Sequence, residues 1–155
     1  MKKKIGHNLG PVVLIANSSW YLFHYRSYLI KKLNDNNIKT ILIAPKDEFT
    51  DQLCSLGDFV ECNISRKNSL NIFPIIFSFI RLYKIINKLK PSVIHSHTLK
   101  PNFIISLISF FLGIKTILSF TGLGILSIKK GLSYLVLKLI IKFIYFFSTR
   151  ELNKY

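Results

Sequence analysis

The sequence predicts an α/β protein with a doubly wound parallel sheet, and two observations carry this prediction. Short apolar segments alternate along the chain with longer helical patterns, which is typical of parallel strands joined by helical crossovers. Several of the short segments are apolar throughout instead of alternating, as expected for strands that are covered on both faces. Because such crossovers are right-handed, we expect the strand order 3-2-1-4-5.

The elements follow one another in a regular order. The apolar runs predict five strands, at residues 12–16, 40–44, 59–62, 93–95 and 116–120. Helical spacing predicts five helices, at residues 21–36, 48–56, 70–90, 102–112 and 131–147. Ser18 and Ser19 can cap the first helix, and Pro101 is suited to the first position of the fourth.

The third helix has one narrow polar stripe on an otherwise apolar surface. Its polar positions advance by four, three, three and four residues, and they are Pro74, Ser78, Arg81, Lys84 and Lys88. The fourth and last helices are similarly apolar. Either a further layer or a bilayer surface covers these helices, or they belong to a large hydrophobic core.

Composition limits the classes of protein. The chain of 155 residues fits one domain, and its 50% hydrophobic content excludes disorder. It has 22 lysines and arginines against 7 aspartates and glutamates, giving a net charge of +15. The lysines are spread among aliphatic runs without an arginine-rich block, which favours an anionic membrane surface over nucleic acid.

The sequence also indicates a compartment. Cys54 and Cys62 have neither metal-ligand spacing nor a disulfide-rich context, so we expect reduced thiols in a cytoplasmic protein. The basic N-terminus lacks the apolar stretch of a secretory signal. We expect no membrane-spanning helix, because Lys138 and Lys142 interrupt the longest apolar run.

Chemically useful side chains follow the fourth strand, in the segment Val-Ile-His-Ser-His-Thr-Leu-Lys-Pro-Asn at residues 93–102. Ligands of open α/β sheets bind outside the carboxyl ends of the strands. We expect His95 to be a core histidine, and His97, nearer the rim, to be the functional one. Lys100 beside a helix start favours an anion such as a diphosphate. Glycine-rich residues 121–124 repeat this design after the fifth strand, where glycines allow close approach of a ligand.

Several chemistries are disfavoured. The first strand is not followed by G-x-G-x-x-G, which disfavours NAD and FAD, and the chain has no Walker A or G-x-S-x-G motif. His95 and His97 could bind zinc as a pair, but no third ligand is evident, so we expect no metal; a zinc hydrolase remains a rival interpretation. Strand ends carry almost no carboxylates, so this chain alone does not supply a paired-carboxylate mechanism.

Ser18 and Arg26 each have two possible roles. Ser18 is either a helix cap or, with Asn17 and the helix N-terminus, a ligand for a sugar hydroxyl or phosphate. Arg26 is either a solvated helix charge or a phosphate-facing group.

Four segments in register resemble the N-terminal domain of family 4-like glycosyltransferases, especially bacterial enzymes of surface-polysaccharide or lipid-linked oligosaccharide synthesis. The segments are residues 17–26, 43–47, 90–102 and 120–124. The resemblance implies a Rossmann-like domain that is one half of a GT-B fold. In such enzymes this half binds the acceptor, often a polyprenyl-diphosphate sugar or a polysaccharide, and the other half binds the nucleotide sugar. It also implies retention of configuration, with no cofactor besides the nucleotide sugar and no required metal.

The resemblance implies a set of acceptor- or diphosphate-binding residues but no catalytic residue. They are Asn17, Ser18, Arg26, His97, Thr98, Lys100, Asn102, Thr121, Gly122 and Gly124. We expect a basic lead-in at residues 1–11, the glycosyltransferase domain at 12–147 and a tail at 148–155, with the second domain absent. The chain would be truncated, one subunit of a split enzyme, or a stand-alone module at the inner face of the plasma membrane. The rival class is a non-catalytic, membrane-associated acceptor-binding module.

Overall fold

The computed structural model contains a five-stranded parallel sheet with the order β3-β2-β1-β4-β5, which confirms the predicted order and fold class. It describes residues 10–64 and 72–120, together with the helical residues Leu135, Lys138, Leu139, Ile141, Lys142, Phe143, Ile144 and Phe146. The strands are β1 (Val12–Ile15), β2 (Thr40–Ala44), β3 (Asp58–Glu61), β4 (Val93–His97) and β5 (Thr116–Ser119). The helices are α1 (Ser19–Asp35), α2 (Thr50–Cys54), α3 (Ile72–Leu89) and α4 (Leu99–Leu112).

The central strand β1 divides the protein into two hydrophobic cores. It pairs with β2 on one side and β4 on the other, so its side chains are covered by helices on both faces. Val13 and Ile15 pack with α3 and α4, whereas Leu14 and Ala16 pack with α1. This division explains why the strand is apolar throughout and why all its functional groups lie beyond its end.

Helix α4 begins three residues earlier than the sequence predicted. Its first residue is Leu99 and its N-cap is Thr98, so Pro101 occupies the third helical position instead of the first. The proline is tolerated there because the first backbone N–H groups of a helix have no partner within the helix. The helix ends at Gly113, whose φ of 65° is the left-handed conformation that glycine adopts without strain.

The polar stripe predicted for α3 is wrong at Ser78. The Ser78 hydroxyl is buried and donates to the carbonyl oxygens of Asn63 and Pro74. Leu82 and Ile86 pack into the core on the same inward side of the helix. The outward side of the first two turns is therefore apolar, with Phe73 and Phe77 exposed.

The last predicted helix, at 131–147, falls partly within the described residues. The eight described residues between Leu135 and Phe146 are helical, and the rest of that prediction lies outside them. The Phe143 ring lies 5.3 Å from the Phe103 ring, so this segment is on the α4 side of the sheet. Within the described part of the chain, no helix is both long and apolar enough to cross a membrane.

Candidate functional site

The candidate site lies at the carboxyl edge of the sheet, where β1, β4 and β5 end. Strand β4 continues to His97, two residues beyond its predicted end, because His97 is in register with Ser119 of β5. The expected burial of the two histidines is therefore wrong. His97 is fully buried beneath α1, while His95 is only half-buried.

His97 is held by an arginine and a tyrosine from α1. The Nε of Arg26 lies 3.3 Å from both ring nitrogens of His97, and the Tyr21 ring is 5.5 Å from the imidazole. Arg26 also donates to the Tyr21 hydroxyl at 3.2 Å and to the Tyr25 carbonyl at 3.1 Å. Arg26 is thus not a freely solvated helix charge; its guanidinium is fixed at the sheet edge by three partners.

The environment keeps His97 neutral. Burial, the neighbouring His95 and the Arg26 guanidinium lower the pKa of His97 to about 3. Burial and Arg26 also lower the pKa of His95. A neutral imidazole has one lone pair that can accept from the Arg26 Nε–H, which a protonated ring could not do. The permanent positive charge at this point therefore belongs to Arg26.

A second group of contacts links β4, β5 and α4 through Ser119. The Ser119 hydroxyl is 2.8 Å from Nε2 of His95. The Ser119 carbonyl accepts from Nδ2 of Asn102 at 2.9 Å and from the Thr98 backbone N–H at 3.3 Å. These bonds fix the β4–α4 turn against β5, and they bring His95, Thr98 and Asn102 to one place.

Three polar atoms beside this turn are buried without a hydrogen-bond partner among the described residues. They are Ser96 Oγ, Thr98 Oγ1 and Asn102 Oδ1. Thr98 also has φ 70° and ψ 160°, a conformation that costs a non-glycine residue about 1–3 kcal/mol. Strain and unsatisfied polar atoms at one turn are typical of a ligand-binding position, where a ligand or bound water completes the hydrogen bonds.

The N-terminus of α1 is already capped by the protein itself. The Tyr21 backbone N–H donates to the Ser18 hydroxyl at 3.3 Å, which confirms Ser18 as a cap. The Asp47 carboxylate accepts from the backbone N–H groups of Trp20 at 2.9 Å and Phe49 at 3.0 Å. Sequence reasoning missed Asp47, although it is an acidic residue three positions after β2.

The other predicted site residues lie either next to the strand ends or outside the described residues. Asn17 is half-buried just after β1, and Lys100 is half-buried in the first turn of α4. Thr121, Gly122 and Gly124 lie outside the described residues. Among the residues that the structure describes, no three histidine, cysteine, aspartate or glutamate side chains are grouped so that they could hold a metal ion.

The parallel sheet and its strand order define a Rossmann-like α/β domain. A family model described as Glycosyl transferase 4-like matches residues 11–150. The chain belongs to this family.

One curated relative shares 31% identity with this chain over 88 residues. It is the N,N'-diacetylbacillosaminyl-diphospho-undecaprenol alpha-1,3-N-acetylgalactosaminyltransferase of Campylobacter jejuni. The aligned part is 57% of this chain and 23% of the relative, so this chain matches less than a quarter of that enzyme's length.

Solved structures with the same fold include both transferases and epimerases. A glycosyltransferase from Rickettsia africae has a TM-score of 0.58 at 17% identity, over 72% of this chain and 30% of that one. A UDP-GlcNAc 2-epimerase from Neisseria meningitidis has a TM-score of 0.53 at 20% identity, over 70% of this chain and 31% of that one. At these identities the likeness establishes the fold alone.

Proposed function

We propose that this chain is the acceptor-side domain of a glycosyltransferase. The reaction transfers a hexosyl or N-acetylhexosaminyl group from a nucleotide sugar to a lipid-linked or polysaccharide acceptor, in the synthesis of a surface polysaccharide. The observation that carries the proposal is Arg26, a cation held at the carboxyl edge of the sheet by His97 and Tyr21. The name of the Campylobacter relative, which contains a sugar linked to undecaprenol through a diphosphate, supports an acceptor of the same kind.

Arg26 is chemically suited to a diphosphate. A guanidinium has five N–H donors, and three of them are engaged with His97, Tyr21 and the Tyr25 carbonyl. Five minus three leaves two N–H groups for a ligand. Because the side chain is already ordered by its partners, little conformational entropy is lost when an anion binds. The neutral His97 contributes by holding Arg26, without adding a second charge.

The hydroxyl and amide oxygens near α4 suit the sugar part of an acceptor. Ser96 Oγ and Thr98 Oγ1 can donate or accept, and Asn102 Oδ1 can accept. A sugar presents hydroxyl groups with both capacities. We assign Thr98 and Asn102 to acceptor positioning, with Lys100 in the same turn. The family resemblance adds Thr121, Gly122 and Gly124 to this proposal, and these three lie outside the described residues.

The donor half of the reaction belongs to a further domain or to a separate subunit. The proposal includes retention of configuration, with no metal and no cofactor other than the nucleotide sugar as co-substrate. It also places the protein at the cytoplasmic face of the plasma membrane as a peripheral protein. A net charge of +15 supports this location, since that leaflet is anionic.

Binding of a soluble prenyl diphosphate tests the proposal directly. Farnesyl diphosphate is titrated into the full chain by calorimetry, and into the variants Arg26→Ala and Lys31→Ala. We expect Arg26→Ala to weaken binding about tenfold or more, because charge-assisted hydrogen bonds are lost. Lys31 is an exposed cation on the same helix, so its removal should leave the affinity unchanged. Equal affinity of the wild type and Arg26→Ala would remove Arg26 from the site.

A non-catalytic acceptor-binding module is the second candidate function. The observation that favours it is Asp47. This carboxylate already accepts hydrogen bonds from two backbone N–H groups, and so has a structural role instead of a catalytic one. A complete transferase would move radiolabelled sugar to the acceptor when the donor-binding half is supplied. Acceptor binding without any transfer under those conditions would favour the binding module.

A further inference from the structure

One side of α3 has an apolar surface turned away from the protein. Phe73 is 84% exposed and Phe77 is 70% exposed, while Ile76 and Ile80 are about half exposed, at 49% and 47%. These positions advance by three, one and three residues, so they form one contiguous stripe on the helix. Surface residues of this size are ordinary when single, but a contiguous stripe indicates an interaction surface.

Basic side chains continue the same side of α3. Positions 73, 77, 81, 84 and 88 advance by four, four, three and four residues, so Arg81, Lys84 and Lys88 follow the two phenylalanines along the helix. All three cations are exposed. Neither α3 nor its neighbour α4 contains an aspartate or glutamate. The surface thus combines apolar insertion with positive charge and has no acidic residue on these two helices.

The described residues beyond β5 lie on the same side of the sheet as α3 and α4. Leu135, Leu139 and Phe146 are exposed, as are Lys138 and Lys142. The Phe143 ring contacts Phe103 of α4, and α4 packs beside α3 on one side of the sheet. Two helical segments on one side therefore have the same combination of large apolar and basic side chains.

The stripe lies at the same edge of the sheet as the candidate site. It occupies the first two turns of α3, the helix that follows the carboxyl end of β3. Arg81 holds this part of the helix to that end by donating to the Glu61 carbonyl at 3.0 Å. The strands are parallel, so the end of β3 is at the same edge of the sheet as His97 at the end of β4.

We infer that the stripe of Phe73, Ile76, Phe77 and Ile80, with Arg81, Lys84 and Lys88, is the surface that docks this domain onto an anionic bilayer. The inference deepens the proposed function, because it names the surface that meets the membrane. The apolar rings enter the headgroup region and the cations contact anionic lipid phosphates. The carboxyl edge is then close to the bilayer, where the diphosphate of a lipid-linked acceptor is found.

Vesicle sedimentation tests this inference without donor or acceptor. The full chain is mixed with phosphatidylcholine vesicles that contain or lack phosphatidylglycerol. We expect binding to the anionic vesicles. The double variant Phe73→Ser/Phe77→Ser should lower the partition coefficient at least tenfold. This is a lower bound, because transfer of a single phenylalanine ring out of water already contributes about that factor. Tyr28→Ser is the matched control, since Tyr28 is 76% exposed on α1, and it should bind as the wild type does.

The charge component has its own pair of variants. Lys84→Ala/Lys88→Ala should weaken binding to anionic vesicles about thirtyfold, which corresponds to about 1 kcal/mol for each of the two lysines near the surface. The control Lys31→Ala/Lys32→Ala, on α1, should weaken it about twofold or less, because distant charges are screened. Equal effects of the two pairs would overturn the assignment of this face.

Other outcomes are equally decisive. Wild-type affinity of the phenylalanine variant, or no vesicle binding by the wild type, would overturn the inference. If that variant instead converts a dimer to a monomer with vesicle binding unchanged, the stripe is a contact between copies. Should the variant fail to fold, deuterium uptake of the wild type decides: vesicles should slow exchange in residues 73–80 but not in α1. Vesicle binding without farnesyl diphosphate binding would contradict the proposed function while leaving this surface intact.

Discussion

Because His97 is buried and neutral, we expect acid to lower the free energy of unfolding by an amount that can be worked out. The pKa of His97 is lowered from its ordinary value of 6.5 to about 3 in the folded protein. Between these values the unfolded chain binds a proton that the folded protein does not bind. The free energy of unfolding therefore falls as the pH falls below about 6.5, and the loss ends near pH 3.

The size of the effect follows from the two pKa values. Between pH 7 and pH 5 the folded histidine stays neutral, whereas the unfolded one changes from mostly neutral to almost fully protonated. Linkage gives a loss of about 2 kcal/mol from this group over that interval. His95 has a lowered pKa as well and adds a loss of the same sign.

Urea unfolding of the wild type and of His97→Gln at pH 7 and pH 5 measures this loss. Glutamine can still accept a hydrogen bond from Arg26 but does not titrate. The wild type should lose about 2 kcal/mol more than the variant over this interval, while His95, present in both proteins, contributes similarly to each. Equal acid destabilisation of the two proteins would refute a buried neutral His97.

Two further predictions concern the turns around the site. Asp47→Ala should lower the free energy of unfolding by about 1–2 kcal/mol, because two backbone N–H groups lose their acceptor, while the exposed Asp51→Ala should cost less; equal losses in urea unfolding would contradict the capping role. Thr98→Gly should raise the free energy of unfolding by about 1 kcal/mol, because glycine adopts φ 70° without strain and removes an unsatisfied hydroxyl. Thr116→Gly in β5 is its control and should be destabilising; a destabilised Thr98→Gly would mean that the side chain stabilises the turn.

The sheet could be predicted from the sequence because its signal is local. Runs such as Val12–Ile15 and Thr40–Ala44 are apolar throughout, and right-handed crossovers then allow essentially one strand order. The end of β4 could not be predicted in this way. Ser96 and His97 are polar and suggest that the strand has ended, but pairing with β5 and cover from α1 keep both within it.

The details of the site depend on contacts between distant residues. Arg26 and His97 are 71 positions apart, so no spacing or periodicity in the sequence could join them. The left-handed conformation at Thr98 gives no signal either, since a positive φ is expected at glycine or asparagine. The polar spacing of α3 groups Ser78 with the charged residues of the helix, although a buried hydroxyl that is hydrogen-bonded to backbone carbonyls is equally stable.

The carboxylate of Asp47 has a consequence for nucleotide selectivity. In many parallel α/β folds the N-terminus of the first helix receives a phosphate of the ligand. In this protein the Asp47 carboxylate already occupies that position. Because the carboxylate belongs to the same chain, its effective concentration there is high, and a free nucleotide must compete with it. A phosphate that arrives there also meets a like charge. We therefore expect the first βα turn to bind nucleotides poorly, and the proposed function assigns the anion to the β4–α4 turn and Arg26 instead.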